Sequence, residues 1–170
     1  MDKILKLAIE DAEVEIGSSR HGRILRPVEF THLQPFTDTS RTESIGVFIN
    51  KECKHERDRA HYQLAHEAIH TLSPVKYEEV SWLEEGVAVK FSHDFLLRKC
   101  SIDWPNSGEK KYDVAGNRVR RLLRYDPDAV KKIMSRFGRL SGISAEEMKE
   151  LFPRVPTRLI NALCRPFNMY

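Results

Sequence analysis

The stretch from Gln63 to Gly86 restricts this chain more than any other, because it holds two helix patterns separated by a forced break. Ala60, Leu64, Ala65, Ala68, Ile69 and Leu72 are the apolar positions of a helix predicted over residues 51–72, and Ser73-Pro74 ends it. After a turn containing Tyr77-Glu78-Glu79, Ser81 to about Leu97 forms a second helix pattern, with Trp82, Leu83, Val87, Val89, Phe91 and Phe95 to Leu97 as a broad apolar face. The first helix carries His66-Glu67-Ala68-Ile69-His70. Four residues turn a helix through about 400°, so the two imidazoles point about 40° apart and can meet one ion. Glu67 is rotated about 100° from His66, outside that pair yet close to a water on the ion.

Two histidines leave a catalytic zinc site short of the three protein ligands it normally has beside a water. Glu85, fifteen residues after His70, reaches the same ion if the two helices pack as a hairpin. Glu84 is its immediate rival; next to Trp82 and Leu83, its other reading is a solvent-facing neighbour.

His66-Glu67-Ala68-Ile69-His70 with Trp82-Leu83-Glu84-Glu85-Gly86-Val87-Ala88 resembles the gluzincin branch of the zinc metallopeptidases, whose pattern is H-E-x-x-H and then W-L-x-E-G-x-A. In that pattern the glutamate before the glycine is the third zinc ligand, which maps to Glu85 and not to Glu84. The resemblance implies an α+β fold, mainly helical, with a small mixed sheet over the zinc-binding helix. It implies one zinc ion on His66, His70 and Glu85, with Glu67 as general base for peptide-bond hydrolysis. It also gives residues 45–49 the role of an edge strand along which an extended substrate binds. Tyr112-x-x-Ala115-x-x-x-Val119-Arg120-x-Leu122 is a weaker match, similar to the family's downstream helix, where a tyrosine or histidine donates to the tetrahedral intermediate. Tyr112 is the candidate, with Tyr125 and His93 as alternatives. The interval from His70 to Glu85 is short beside the larger members of the clan, which leaves the substrate open. A non-catalytic zinc domain that binds a peptide or partner protein is the alternative function.

The remaining pattern places a single domain around this centre: an N-terminal helix and small sheet over residues 1–50, the zinc-binding helix pair over 51–99, and a helical part over 110–170. Ile4, Leu5, Ala8, Ile9, Ala12 and Ile16 predict an amphipathic helix over residues 3–15, stopped by Gly17-Ser18-Ser19. Ile24-Leu25 and Pro27 to Thr31 are short strand candidates, and Gln34 to Ser44 is expected to be a loop. Ser44 to Asn50 is the best strand, β-branched and aromatic, with Gly46 marking a bulge or a close backbone approach; its pattern reads first as a core strand, with a substrate-pairing edge as the alternative. His55 and His61 fall in the charged half of the long helix and are expected at the surface. Ser101 to Glu109 is a loop long enough to rim a site. Further helices are predicted over Tyr112–Arg124, Pro127–Phe137, Ser144–Phe152 and Thr157–Cys164, with Pro127 as a helix start and Ser144-x-x-Glu147 as a capping box.

Charge and cysteine usage narrow the partners. A net charge of +3 gives no case for nucleic acid or a membrane surface. Between Lys110 and Arg139, however, ten basic residues stand against three acidic ones, among them Arg118, Arg120, Arg121, Arg124, Lys131, Lys132, Arg136 and Arg139. Few aromatics are interleaved for base stacking, so this is first a solvated helix face, and a peptide or protein substrate is the expected partner. Cys53, Cys100 and Cys164 are odd in number and lack C-x-x-C spacing, as expected of reduced thiols in the cytoplasm. Acidic residues Glu10, Asp11, Glu13 and Glu15 interrupt any secretory apolar run, and no uncharged stretch is long enough to span a bilayer.

Overall fold

The computed structural model describes residues 1–18 and 21–167. Among these residues the fold is α+β and mainly helical, with a small sheet of four strands. Helix α1 (Asp2–Ile16) turns Leu5, Ala8, Ala12 and Ile16 inward at the spacing that puts them on one face, and Gly17 ends it with φ 105°, a backbone conformation side chains resist. Ser19, the last of the predicted stop residues, lies outside the described residues.

Strands β1 (Ile24–Leu25), β2 (Glu29–Thr31), β3 (Phe36–Asp38) and β4 (Ser44–Asn50) form a mixed sheet with β4 as its hub. β1 pairs parallel with the start of β4 and β2 with its end, while β3 runs antiparallel to it. Phe48 is opposite Glu29 on one side and Phe36 on the other, so β4 is interior. This agrees with the core-strand reading of Ser44 to Asn50 and corrects the edge strand that the resemblance implied at residues 45–49. Ile45, Val47 and Ile49 bury one face of β4, and Phe48 stacks on Phe36 across the other with ring centroids 4.6 Å apart, which suits a strand enclosed by partners. The edge over the helices is β3, which lies inside the stretch expected to be a loop. Gly46 is explained by a side chain and not by backbone: the Arg26 guanidinium crosses it to reach Asp38, and a Cβ there would collide with Arg26.

Helix α2 (Arg57–Leu72) starts later than predicted. Lys51–Lys54 make a separate tight turn, in which the Asn50 side chain accepts from Glu52 N at 2.9 Å and Cys53 is buried with its thiol donating to Gln63 Oε1. His55 is exposed as expected, but His61 is buried: its Nδ1 bonds to the Arg57 carbonyl at 2.8 Å and its ring lies 6.4 Å from Phe95. Helix α3 (Trp82–Cys100) runs a few residues past its predicted end, and Phe95, on its predicted apolar face, covers His61. Helices α4 (Lys110–Tyr125), α5 (Ala129–Phe137), α6 (Ala145–Leu151) and α7 (Thr157–Cys164) follow. The Ser144–Glu147 capping box forms reciprocally, at 3.1 and 2.8 Å. Pro127 does not start α5, because Asp126 accepts from Asp128 N and makes a turn first. The three cysteines are unpaired. Among the described residues no helix is long and apolar enough to cross a membrane.

The stack α1, α2, α3, α4 makes one core, with β4 laid on α2. Its tightest point is Gly86, where a Cβ would collide with the Ala115 carbonyl and come 2.6 Å from Val119 Cγ2. Helices α3 and α4 can therefore approach only because residue 86 has no side chain. Backbone cannot yield as a flexible side chain does, so Gly86→Ala is expected to destabilise the fold by about 1–3 kcal/mol. Urea denaturation checks this, and an unchanged midpoint would refute the close approach.

Candidate metal centre

Helices α2 and α3 lie side by side, joined by residues 73–81, and the link returns the start of α3 to the last turn of α2. One ligand atom from each of His66, His70 and Glu85 lies within 4.8 Å of the others, so these three residues could hold a metal ion. The two imidazole rings have centroids 5.1 Å apart. His66 Nε2 is 3.2 Å from Glu85 Oε2, and His70 Nε2 is 3.7 Å from Glu85 Oε1. Despite that approach, Glu85 Oε2 is buried and accepts no hydrogen bond of proper geometry. A buried carboxylate oxygen without a donor is costly, and a cation between the two imidazoles and this oxygen removes the cost. On this observation the donor set fits a metal.

Glu84 is not the solvent-facing neighbour it was expected to be. It is fully buried and accepts from His70 Nδ1 at 2.7 Å, from Ser73 Oγ at 3.0 Å and from Ser141 Oγ at 2.6 Å. The two adjacent glutamates divide the work: Glu85 faces the Nε2 atoms of both imidazoles, and Glu84 grips the far side of one of them. That grip occupies His70 Nδ1 and leaves Nε2 available to an ion. Ser73 Oγ also accepts from Leu140 N at 2.8 Å, and Ser141 Oγ from Ser81 N at 2.9 Å, so the α5–α6 loop is pinned to the same carboxylate. Ser81-x-x-Glu84 has the form of a capping box, yet only half of it forms: Ser81 Oγ accepts from Glu84 N at 3.2 Å, while the glutamate turns inward to His70.

Charge accumulates here. Burial opposes a charge on His70, but the Glu84 hydrogen bond and the carboxylates of Glu85, Glu84 and Glu67 outweigh it and push the imidazole up to about 10. Burial likewise opposes the Glu85 charge, and His66, His70 and Lys111 overcome it to hold that carboxyl below its ordinary value. For Glu67 burial wins: its carboxyl is raised although His70, His66 and a hydrogen bond from Thr37 pull the other way. Thr37 Oγ1 donates to Glu67 Oε2 at 2.7 Å. The sheet register explains the meeting, because Thr37 is opposite Val47 and shares the face that packs on α2. Thr37 was hidden in the predicted loop.

The centre opens on a cleft with two arms that share Pro35, His66, Glu67 and Tyr112. The wide arm, about 390 Å³, runs along α2 past Gln63, Tyr62 and Arg59 and is walled by Trp104 and Asn106 to Glu109, so the 101–109 loop is a rim as expected. Trp104 is held there by the Tyr62 ring, 5.0 Å away, which the His93 ring meets edge-on. The narrow arm, about 60 Å³, reaches Thr37, Thr39, Val75 and Val80. Of the three candidate donors, Tyr112 alone lines the cleft, its ring 6.0 Å from that of His66. Burial and the Glu85 charge push its phenol above the usual value, so it remains a proton-bearing donor at neutral pH. His93 is a support for Tyr62, and Tyr125 is exposed at the end of α4. Within the basic stretch Arg118 lies over Trp82, Lys132 pairs with Asp126, and Arg139 donates to the Gly142 carbonyl.

Glu84→Gln keeps the shape of the carboxylate and removes its charge. It is expected to weaken Zn²⁺ binding by about 10- to 100-fold, as measured by competition with a chelating indicator, and unchanged affinity would exclude the orienting role. No protein-family model, curated protein or solved structure matches the chain.

Proposed function

We propose that the protein is a zinc-dependent peptide hydrolase of gluzincin type, with His66, His70 and Glu85 as ligands, Glu67 as general base and Tyr112 as donor to the oxyanion. The observation that carries this reading is the convergence of three donor atoms beside a buried, proton-avid Glu67 at the meeting point of two cleft arms. A zinc ion there would supply Lewis acidity, which acidifies a water and polarises a peptide carbonyl.

The chain's own residues account for the proton movements. Thr37 engages Glu67 Oε2, and Oε1 takes a proton from the attacking water as its oxygen bonds to the scissile carbon. Glu67 then gives the proton to the departing amine as the carbon–nitrogen bond breaks, so no proton need come from bulk solvent. Tyr112 donates to the carbonyl oxygen as negative charge develops on it. An extended substrate pairs with the open side of β3, the edge nearest Glu67, in place of the strand at 45–49. The charged 118–139 face takes no part, since none of its residues lines the two arms. A zinc site that only organises structure is normally closed by a fourth side chain, and among the described residues no other joins the three.

Glu67→Gln is expected to bind one equivalent of zinc and to lose turnover of a mixed peptide substrate; wild-type rates in that variant would exclude the mechanism. Thr37→Val tests the base separately. The Thr37 hydroxyl stabilises the ionised form of Glu67, so its loss raises that carboxyl further. A base must be deprotonated to act, and the acid limb of the kcat/KM profile is therefore expected to move to higher pH. A limb that stays in place, or moves down, would remove Glu67 from the role.

A further inference from the structure

A row of rings leads from α7 to the metal centre. The Arg118 guanidinium lies 4.0 Å from the Trp82 ring and donates to the Ala162 carbonyl of α7 at 3.2 Å. Trp82 meets Phe167 at 4.8 Å between centroids, Phe167 meets Tyr112 at 5.0 Å, and Tyr112 meets His66 at 6.0 Å. Phe167 is 2% exposed, and Lys111 Nζ lies 4.1 Å from its ring centre.

Backbone pairing brings Phe167 to this place. Phe167 N donates to the Val80 carbonyl at 2.7 Å and Trp82 N to the Arg165 carbonyl at 2.9 Å, on either side of an antiparallel bridge between Ser81 and Pro166. Both bonds belong to the residues flanking the bridged pair, so Pro166 gives up nothing by lacking an N–H. The Arg165 carbonyl also satisfies one of the amides that the first turn of α3 would leave unpaired. Residues 165–167 are thus fastened to the start of the helix that carries Glu84 and Glu85.

The Tyr112 ring meets two others, that of His66 and that of Phe167. Without the Phe167 ring, a hole would open beside Tyr112, and the tyrosine could turn into it. We infer that Phe167 is a positioning residue, which the 165–167 bridge holds against Tyr112 so that the phenol stays directed into the cleft. The inference rests on the proposed role of Tyr112 and assigns residues after α7 to the working site.

Full-length, zinc-loaded Phe167→Ala should lose kcat on the order of 100-fold with KM nearly unchanged. Phe167→Leu, which refills most of the volume, should recover much of that loss. In a Tyr112→Phe background the alanine change should add nothing, because both substitutions act on one phenol; additive losses overturn the inference. A second readout needs neither metal nor turnover. In metal-free protein with carbon-13-labelled tyrosine rings, assigned by Tyr112→Phe, the Tyr112 signal should move towards that of an exposed tyrosine in Phe167→Ala. A Tyr112 signal that does not move overturns the inference whether or not peptides are cleaved. If wild-type protein cleaves no peptide, the proposed function fails and the spectrum alone decides on Phe167. Should the alanine variant not fold, Phe167→Val, a milder truncation, serves in the same comparison.

Discussion

A carboxylate taken wholly out of water must be matched by donors on every side, or it costs several kcal/mol. Glu84 is such a group, and the fold around the centre can be understood as the means of satisfying it. Its three donors come from α2, from the link after α2 and from the loop before α6. One charge therefore fixes where the hairpin closes and where the second half of the chain docks on it. The same bond selects the His70 nitrogen that faces Glu85, so the requirement that organises the scaffold also orients a candidate ligand.

A second constraint is the width of the gap between α3 and α4. Gly86 follows Glu85 directly and lies against Ala115, one helical turn after Tyr112 on the same face of α4. If residue 86 had a side chain, α4 would stand off and Tyr112 would leave the cleft with it. The glycine that marks the motif in the sequence thus has a packing reason: it sets the distance between the helix holding Glu85 and the helix holding Tyr112.

Much of this was legible because the relevant signals are local. The α1 periodicity, the β-branched run of β4, the Ser144–Glu147 cap and the Thr157–Cys164 helix are each written in adjacent residues, and each formed over nearly the predicted span. The two histidines met as the helical repeat requires, with Glu85 opposite them. What could not be read depends on partners distant in sequence. β3 is three residues long, too short for the strand preference of Phe36 and Thr37 to show as a pattern, and it is a strand because β4 offers it a ladder. Thr37 acquires its role from that register. Ser73 and Ser141 are ordinary loop serines until Glu84 is buried between them. His61 lies in a charged segment, and its burial follows from the packing of α3 against α2, which lays Phe95 beside it. The edge expected at residues 45–49 moved to β3 for a related reason: a strand apolar on both faces calls for cover on both sides, and the covering strands were the weak ones.

The charges at the centre show why such an arrangement is compatible with a stable fold. Glu67, Glu84 and Glu85 share a buried space with two imidazoles, a surplus of negative charge. Protons offset it in the metal-free chain, where His70 stays charged up to about pH 10 and burial raises Glu67 towards its neutral form. A divalent cation can take the place of the His70 proton, and only the ionised carboxylates and neutral imidazoles bind it, so metal uptake and proton release are coupled. Glu84 remains hydrogen-bonded through either state, because Ser73 and Ser141 hold it independently of what His70 carries. The scaffold is therefore insulated from the exchange, and the variable charge is confined to the candidate ligands and to Glu67, all of which line the cleft.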